Sequence, residues 1–132
     1  MNELVTPDSF RCLLVDDHDE YRSMLIDYLQ LDDSKYRQAA NGAEAIEACT
    51  EEMPDLIIMD LEMPEMDGFQ ATQQILERNP EANIVILSQS DHDSIHEQAT
   101  MIGAAQSLCK FNINKLRPIL KSILSEQKAM AC

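Results

Sequence analysis

The sequence predicts an α/β domain in which five short strands form one parallel sheet with helices on both faces. Three observations carry this. Short apolar runs alternate along the chain with stretches of helical spacing, the pattern of strands buried on both faces and joined by right-handed helical crossovers. Four of the runs end on a polar residue or pair: Asp16-Asp17, Asp60, Ser88 and Lys110. The 132 residues, 45% of them apolar, suit one domain with a proper core.

Each element follows from its residues. Residues 11–15 form the first strand, and Tyr21, Met24, Leu25, Tyr28 and Leu29 then recur at i, i+3, i+4, i+7 and i+8, one face of a helix. Residues 36–40 form a weaker, more exposed strand. Asn41-Gly42 opens a second helix that turns Ala45, Ile46, Cys49 and Met53 inward and that Pro54 stops. The strand 55–60 leads into a loop over 61–66. Asp67 is a suitable N-cap for a third helix burying Phe69, Thr72, Ile75 and Leu76, which Asn79-Pro80 ends. Residues 83–88 form the fourth strand. A fourth helix carries only Ile95, Ala99 and Ile102 and closes on Gly103 as a left-handed cap, so its weak stripe makes it the most mobile helix. Residues 105–109 supply an edge strand, and Leu116, Ile119, Leu120, Ile123 and Leu124 mark a strong last helix. A single flavodoxin-like (βα)5 domain with strand order 2-1-3-4-5 suits this alternation, which by itself leaves the order open.

Composition excludes several classes of function. The net charge of −14 opposes direct nucleic-acid binding, which relies on clustered Lys and Arg. No apolar run approaches the roughly 20 residues of a membrane span, and the first nine residues form a polar N-terminal extension containing Pro7. Cys12, Cys49, Cys109 and Cys132 make no Cys-x-x-Cys pair, so a cytoplasmic chain with reduced thiols is expected, Cys12 and Cys109 being inert buried thiols on strands. Met24, Met53 and Met59 read as core filler. His92 and His96 stand at i, i+4, but no third metal ligand accompanies them, and a surface role is expected.

The strand ends carry the chemistry. In parallel sheets ligands bind where the carboxyl ends of the strands emerge. Three carboxylates, a hydroxyl and an amine would therefore share one rim, a setting for a divalent cation and a phosphoryl group. Taken singly, Asp16-Asp17 reads as a turn or helix cap, Ser88 as a cap hydroxyl and Lys110 as a solvated strand end. Their order and shared placement outweigh those readings.

The strings Leu13-Leu14-Val15-Asp16-Asp17-His18 and Met59-Asp60-Leu61-Glu62-Met63-Pro64-Glu65-Met66-Asp67-Gly68, with Ser88, Gly103-Ala104 and Lys110, make residues 10–126 resemble the receiver domain of two-component response regulators. The expected domain spans 10–130. The similarity is greatest to receivers that precede helix-turn-helix output domains. Only one helix and a short tail fit after Lys110, so a stand-alone receiver or a piece of a longer regulator is expected. Receivers are themselves the standard instance of the 2-1-3-4-5 order, which therefore carries no independent weight. The resemblance implies a phosphorylation-dependent signalling switch, with Asp60 as phosphoacceptor and a histidine kinase or histidine phosphotransfer protein as donor. It implies Mg²⁺ held by Asp17, by Asp16 partly through water, by Asp60 and by the backbone carbonyl of Glu62. Lys110 and Ser88 would then bind phosphoryl oxygens. A downstream effector or output domain would read the 91–130 face, and a phosphorylation-linked homodimer is compatible with the family.

The chain also departs from the family pattern. Ser107 stands where receivers usually carry an aromatic residue whose rotation reports the active state. Phe111 replaces the usual Pro after the Lys, and a cis bond there would cost roughly 2.5–4 kcal/mol. Glu62 and Ser90 occupy variable positions that adjust phosphate lifetime. These departures keep a second reading open, a degenerate receiver serving as a constitutive interaction module. A third, a Mg²⁺-dependent phosphohydrolase with an aspartyl intermediate, would need a general acid two residues after Asp60, where Glu62 stands. A signalling domain rather than an enzyme is expected.

Overall fold

The computed structural model describes residues 8–130. Most of the expected N-terminal extension and Cys132 lie outside the described residues, as do the side chains of 126–130. The elements run β1 (Cys12–Val15), α1 (Asp19–Leu29), β2 (Tyr36–Ala39), α2 (Gly42–Glu51), β3 (Leu56–Asp60), α3 (Gly68–Arg78), β4 (Ile84–Ser88), α4 (Asp93–Ile102), β5 (Gln106–Cys109), a 3-10 segment (Lys110–Lys115) and α5 (Leu116–Met130). All pairings are parallel, in the order β2-β1-β3-β4-β5. The flavodoxin-like reading is correct.

Alternation along the strands divides the core in two. Leu13, Val15, Ile57, Met59, Ile84 and Ile86 face Ala45, Ala48, Ala71, Ile75 and Ala99 of α2, α3 and α4. The intervening residues Cys12, Leu14, Leu56, Ile58, Val85 and Leu87 face Leu25 and Leu29 of α1 and Leu120 and Ile123 of α5. Burying a side chain of this size contributes about 1.5–3 kcal/mol, so the three central strands hold the domain together. The edge strands are the polar ones: Arg37 and Gln38 of β2 and Gln106 of β5 are exposed.

Four strands begin one residue later than the apolar pattern suggests, at Cys12, Leu56, Ile84 and Gln106. At the first of these the Arg11 N–H turns to the Asp55 carboxylate at 2.8 Å. The α2 helix ends at Glu51, so Met53 lies beyond it rather than on its inner face. Pro54 disfavours helical backbone in the preceding residue, yet Met53 still packs on the core. The 3-10 segment after Lys110 was not anticipated, and its Phe111 is 85% exposed. As expected, Asp67 caps α3, in a reciprocal box with Gln70, and Gly103 closes α4 at φ +97°. α4 buries only Ala99 fully. Among the described residues no helix is long and apolar enough to cross a membrane.

The start of α3 is seated directly on the end of β3. Gly68 N–H bonds the Leu61 carbonyl at 2.9 Å, and a Cβ on Gly68 would lie 2.4 Å from the Asp60 carbonyl oxygen and 2.8 Å from Leu61 Cα. These are backbone atoms and cannot swing away. Gly68→Ala is therefore expected to cost about 2–4 kcal/mol, at the severe end of overpacking. Urea unfolding would measure this, and a loss below 0.5 kcal/mol would show that the β3–α3 junction is not tightly closed.

Candidate functional site at the carboxyl ends of the strands

Strand register assembles the site. β1 ends beside β3 with Val15 opposite Met59, and Asp60 lies opposite Leu87, which places Asp16, Asp60 and Ser88 at successive positions along one rim. Asp16 is anchored through its N–H to the Ala39 carbonyl at 3.1 Å. Asp16 and Asp60 are both 2% exposed. The Lys110 ammonium comes across from the end of β5, 3.0 Å from Asp16 Oδ2 and 3.1 Å from Asp60 Oδ1, and rests 4.2 Å from the centre of the Tyr21 ring. Lys110 reaches both carboxylates although no described peptide bond is cis.

One ammonium serves two buried carboxylates, and the electrostatics show the shortfall. Burial first, and then the charge of Asp16, push Asp60 up to about 6 against the opposing pull of Lys110. Lys110 is itself raised: burial would lower it, but its bonds to Asp16 and Asp60 more than compensate. Burial pushes the Tyr21 hydroxyl up to about 12.

Asp60 Oδ2 is buried without a hydrogen-bond partner. Ligand atoms of Asp16, Asp17, His18 and Asp60 all lie within 4.8 Å of one another. A set dominated by carboxylate oxygens, one of them buried and unpartnered, fits a hard divalent cation such as Mg²⁺. His18 was not anticipated here. Its Nδ1 lies 3.2 Å from Asp17 Oδ1 and 3.3 Å from Asp16 Oδ1, and its N–H donates to Asp16 Oδ1 at 2.8 Å.

The structure gathers Asp16, Asp17, Asp60 and Lys110 as expected. Ser88 is buried at the neighbouring strand end, where its hydroxyl donates to the Glu62 carboxylate at 2.7 Å. Arg22 was missed: it is buried and bonds Gln38, the Asp16 carbonyl and Asp19, bracing the end of β1 from α1. The available signal was its place three residues before Leu25 and seven before Leu29, a charge on an apolar stripe. His96 is also more than a surface residue. Its Nε2 lies 2.7 Å from Asp91 Oδ1 and its Nδ1 bonds the Ser107 hydroxyl, so α4 is tied to β5 at the position where receivers usually carry an aromatic ring.

The thiols behave as expected of buried groups. Cys12, Cys49 and Cys109 are buried and free, and burial raises Cys12, and Cys49 to about 11.

The chain matches the family described as the response regulator receiver domain over residues 12–121. It belongs to that family. The receiver is 37% identical over 101 residues to the chemotaxis protein CheY of Bacillus subtilis, covering 76% of this chain and 84% of that one. It is 29% identical over 113 residues to the transcriptional regulatory protein DegU of Brevibacillus brevis, covering 83% of this chain but 48% of the relative. Among solved structures, the response regulator TrrA of Thermotoga maritima, crystallised in complex with Mg²⁺ and BeF, aligns with a TM-score of 0.77 at 29% identity, covering 87% of this chain and 99% of that one. The chain thus spans nearly all of some relatives and half or less of others, down to 19% of a protein-glutamate methylesterase of Pseudomonas putida. Receiver domains are signalling domains of two-component systems, and membership places this chain among them.

Raising Asp60 has a defined consequence for stability. As pH falls, the folded receiver takes up a proton at Asp60 near pH 6, before the unfolded chain does, so stability rises through that window and is lost as pH climbs back through it. Without divalent ions, Asp60→Asn should therefore be more stable than the wild type above about pH 6.5, by about 1–2 kcal/mol after solvent screening, with the gap closing towards pH 4. Thermal melts across this range would test it, and equal stability at pH 7.5 would refute the charge-repulsion account.

Proposed function

We propose that residues 10–130 act as a phosphorylation-dependent switch in which Asp60 accepts a phosphoryl group from a histidine kinase or histidine phosphotransfer protein. The observation that carries this reading is a buried carboxylate with one unpartnered oxygen, held beside Lys110 and two further aspartates. In the transfer, an Asp60 oxygen forms the new O–P bond, the donor's P–N bond breaks, and its electron pair leaves with the imidazole nitrogen.

Asp16, Asp17 and Asp60, with the backbone carbonyl of Glu62, would hold Mg²⁺, which supplies the charge neutralisation that an anionic donor needs at an acidic rim. Lys110, already aimed between Asp16 and Asp60, would turn from the carboxylates to a phosphoryl oxygen. Ser88 would donate to another. Two charge-assisted hydrogen bonds, at about 1.5–3 kcal/mol each, approach the roughly 5.5 kcal/mol needed to invert a 1:99 equilibrium.

The surface that would move is the 91–130 face, on which a downstream effector, an output domain or a second copy would dock. The light packing of α4, with only Ala99 fully buried, supports this assignment. The phosphohydrolase reading is disfavoured because Glu62 accepts hydrogen bonds on both carboxylate oxygens, the opposite of a poised general acid.

Incubation with a small phosphodonor and Mg²⁺, followed by intact-mass measurement, should add one phosphoryl group to the wild type and none to Asp60→Asn. An adduct on the variant would place the acceptor elsewhere. Mg²⁺ at a hundredfold excess over its Kd should stabilise the wild type by about 2.7 kcal/mol, and chelation should remove that gain. A melting curve indifferent to Mg²⁺ would dismiss the metal site.

A further inference from the structure

Glu62 grips the end of β4 from across the rim. Its Oε2 accepts the Ser88 hydroxyl at 2.7 Å and its Oε1 accepts the Gln89 N–H at 2.9 Å. One carboxylate thus takes two adjacent donors in a fork, tying the loop after β3 to the loop after β4. The hydroxyl proton of Ser88 has little choice of direction. Its oxygen already accepts the Ser90 N–H at 3.1 Å, the side chain is 1% exposed, and a serine has one O–H to give. Ser88 therefore donates to one acceptor at a time.

A phosphoryl group on Asp60 would bring new acceptor oxygens to the neighbouring strand end, since Asp60 lies opposite Leu87 and Ser88 comes next. It would meet a donor already engaged by an anion. Glu62 is also among the charges that hold Asp60 up, so it burdens the site by repulsion as well as by occupancy.

We propose that the Glu62 carboxylate is an internal competitor for the phosphoryl group, holding the Ser88 and Gln89 donors in the unmodified receiver, and that phosphorylation completes the switch by displacing it. Glu62 is thus a positioning residue that sets how readily the phosphorylated conformation forms. Its release and the turning of Ser88 are one event. The loop that leads into α4 changes its anchor from Glu62 to Asp60, which gives that helix a direct mechanical link to the modified residue. This rests on the reading of Asp60 as phosphoacceptor.

The test is equilibrium binding of beryllofluoride with Mg²⁺, a non-covalent phosphoryl mimic, measured by calorimetry on the wild type, Glu62→Gln, Glu62→Ala, Ser88→Ala and the Glu62→Ala/Ser88→Ala double variant. Freeing a charge-assisted donor should tighten binding about tenfold in Glu62→Ala. Glu62→Gln keeps an acceptor without the charge and should fall between. In the Ser88→Ala background the gain from Glu62→Ala should shrink to threefold or less, a coupling that simple removal of charge would not produce. An unchanged affinity in Glu62→Ala, or a tenfold gain that persists without the Ser88 hydroxyl, would overturn the competitor role while leaving the Asp60 reading intact. Failure of the wild type to bind the mimic at all would instead overturn the Asp60 reading, and this inference with it.

Discussion

Two carboxylates at 2% exposure share one ammonium in this receiver, and the rest of the site is arranged around that imbalance. A buried charge is tolerable only when paired and hydrogen-bonded. Asp16 meets the condition through Lys110 and the His18 N–H. Asp60 does not, because its second oxygen has no partner. The domain withstands the imbalance because the strands bearing these residues are the most deeply buried part of the fold, with Leu13, Ile57, Ile58, Met59, Ile84 and Ile86 packed beneath them. The same residue that is a liability for stability is the one with spare capacity for chemistry.

Around this centre runs a chain of polar contacts that differs in kind from the packed core. Glu62 holds Ser88 and Gln89, and the Ser90 N–H returns to Ser88. Asp91 and Ser107 hold His96 from either side. A side chain from the β3–α3 loop therefore fixes the segment between β4 and α4, and one from β5 holds the first turn of α4, whereas the helix buries only Ala99 completely. Hydrogen bonds exchange partners at small net cost, while buried apolar area cannot be given up cheaply. A segment anchored in this way can be re-anchored without disturbing the two layers of the core.

The elements and rim positions that sequence reading located are those that follow from local pattern. Short apolar runs located the strands and the 3.6-residue period the α-helices, and Asp67 and Gly103 announced their caps. Asp16, Asp17, Asp60, Ser88 and Lys110 were found because each ends an apolar run. Arg22, His18 and the 3-10 segment after Lys110 were not found. Arg22 stands within a helix, and its position does not by itself reveal that Gln38 of β2 will accept from its side chain. His18 turns back to its neighbours Asp16 and Asp17, a contact set by the backbone at the end of β1 rather than by residue type. The 3-10 segment had no apolar period to betray it.

The sequence by itself determined which apolar residues face the core, where the chain turns and which polar groups reach the rim, because apolar runs, helical period and turn chemistry are local properties read within a few residues. Only the tertiary structure decided how those groups pair. That the Lys110 ammonium settles between Asp16 and Asp60, that Glu62 turns its carboxylate to Ser88 and that His96 finds Ser107 are contacts between residues distant along the chain or on separate elements. Their geometry depends on strand register and on the angle at which each loop leaves the sheet, and no local pattern encodes either.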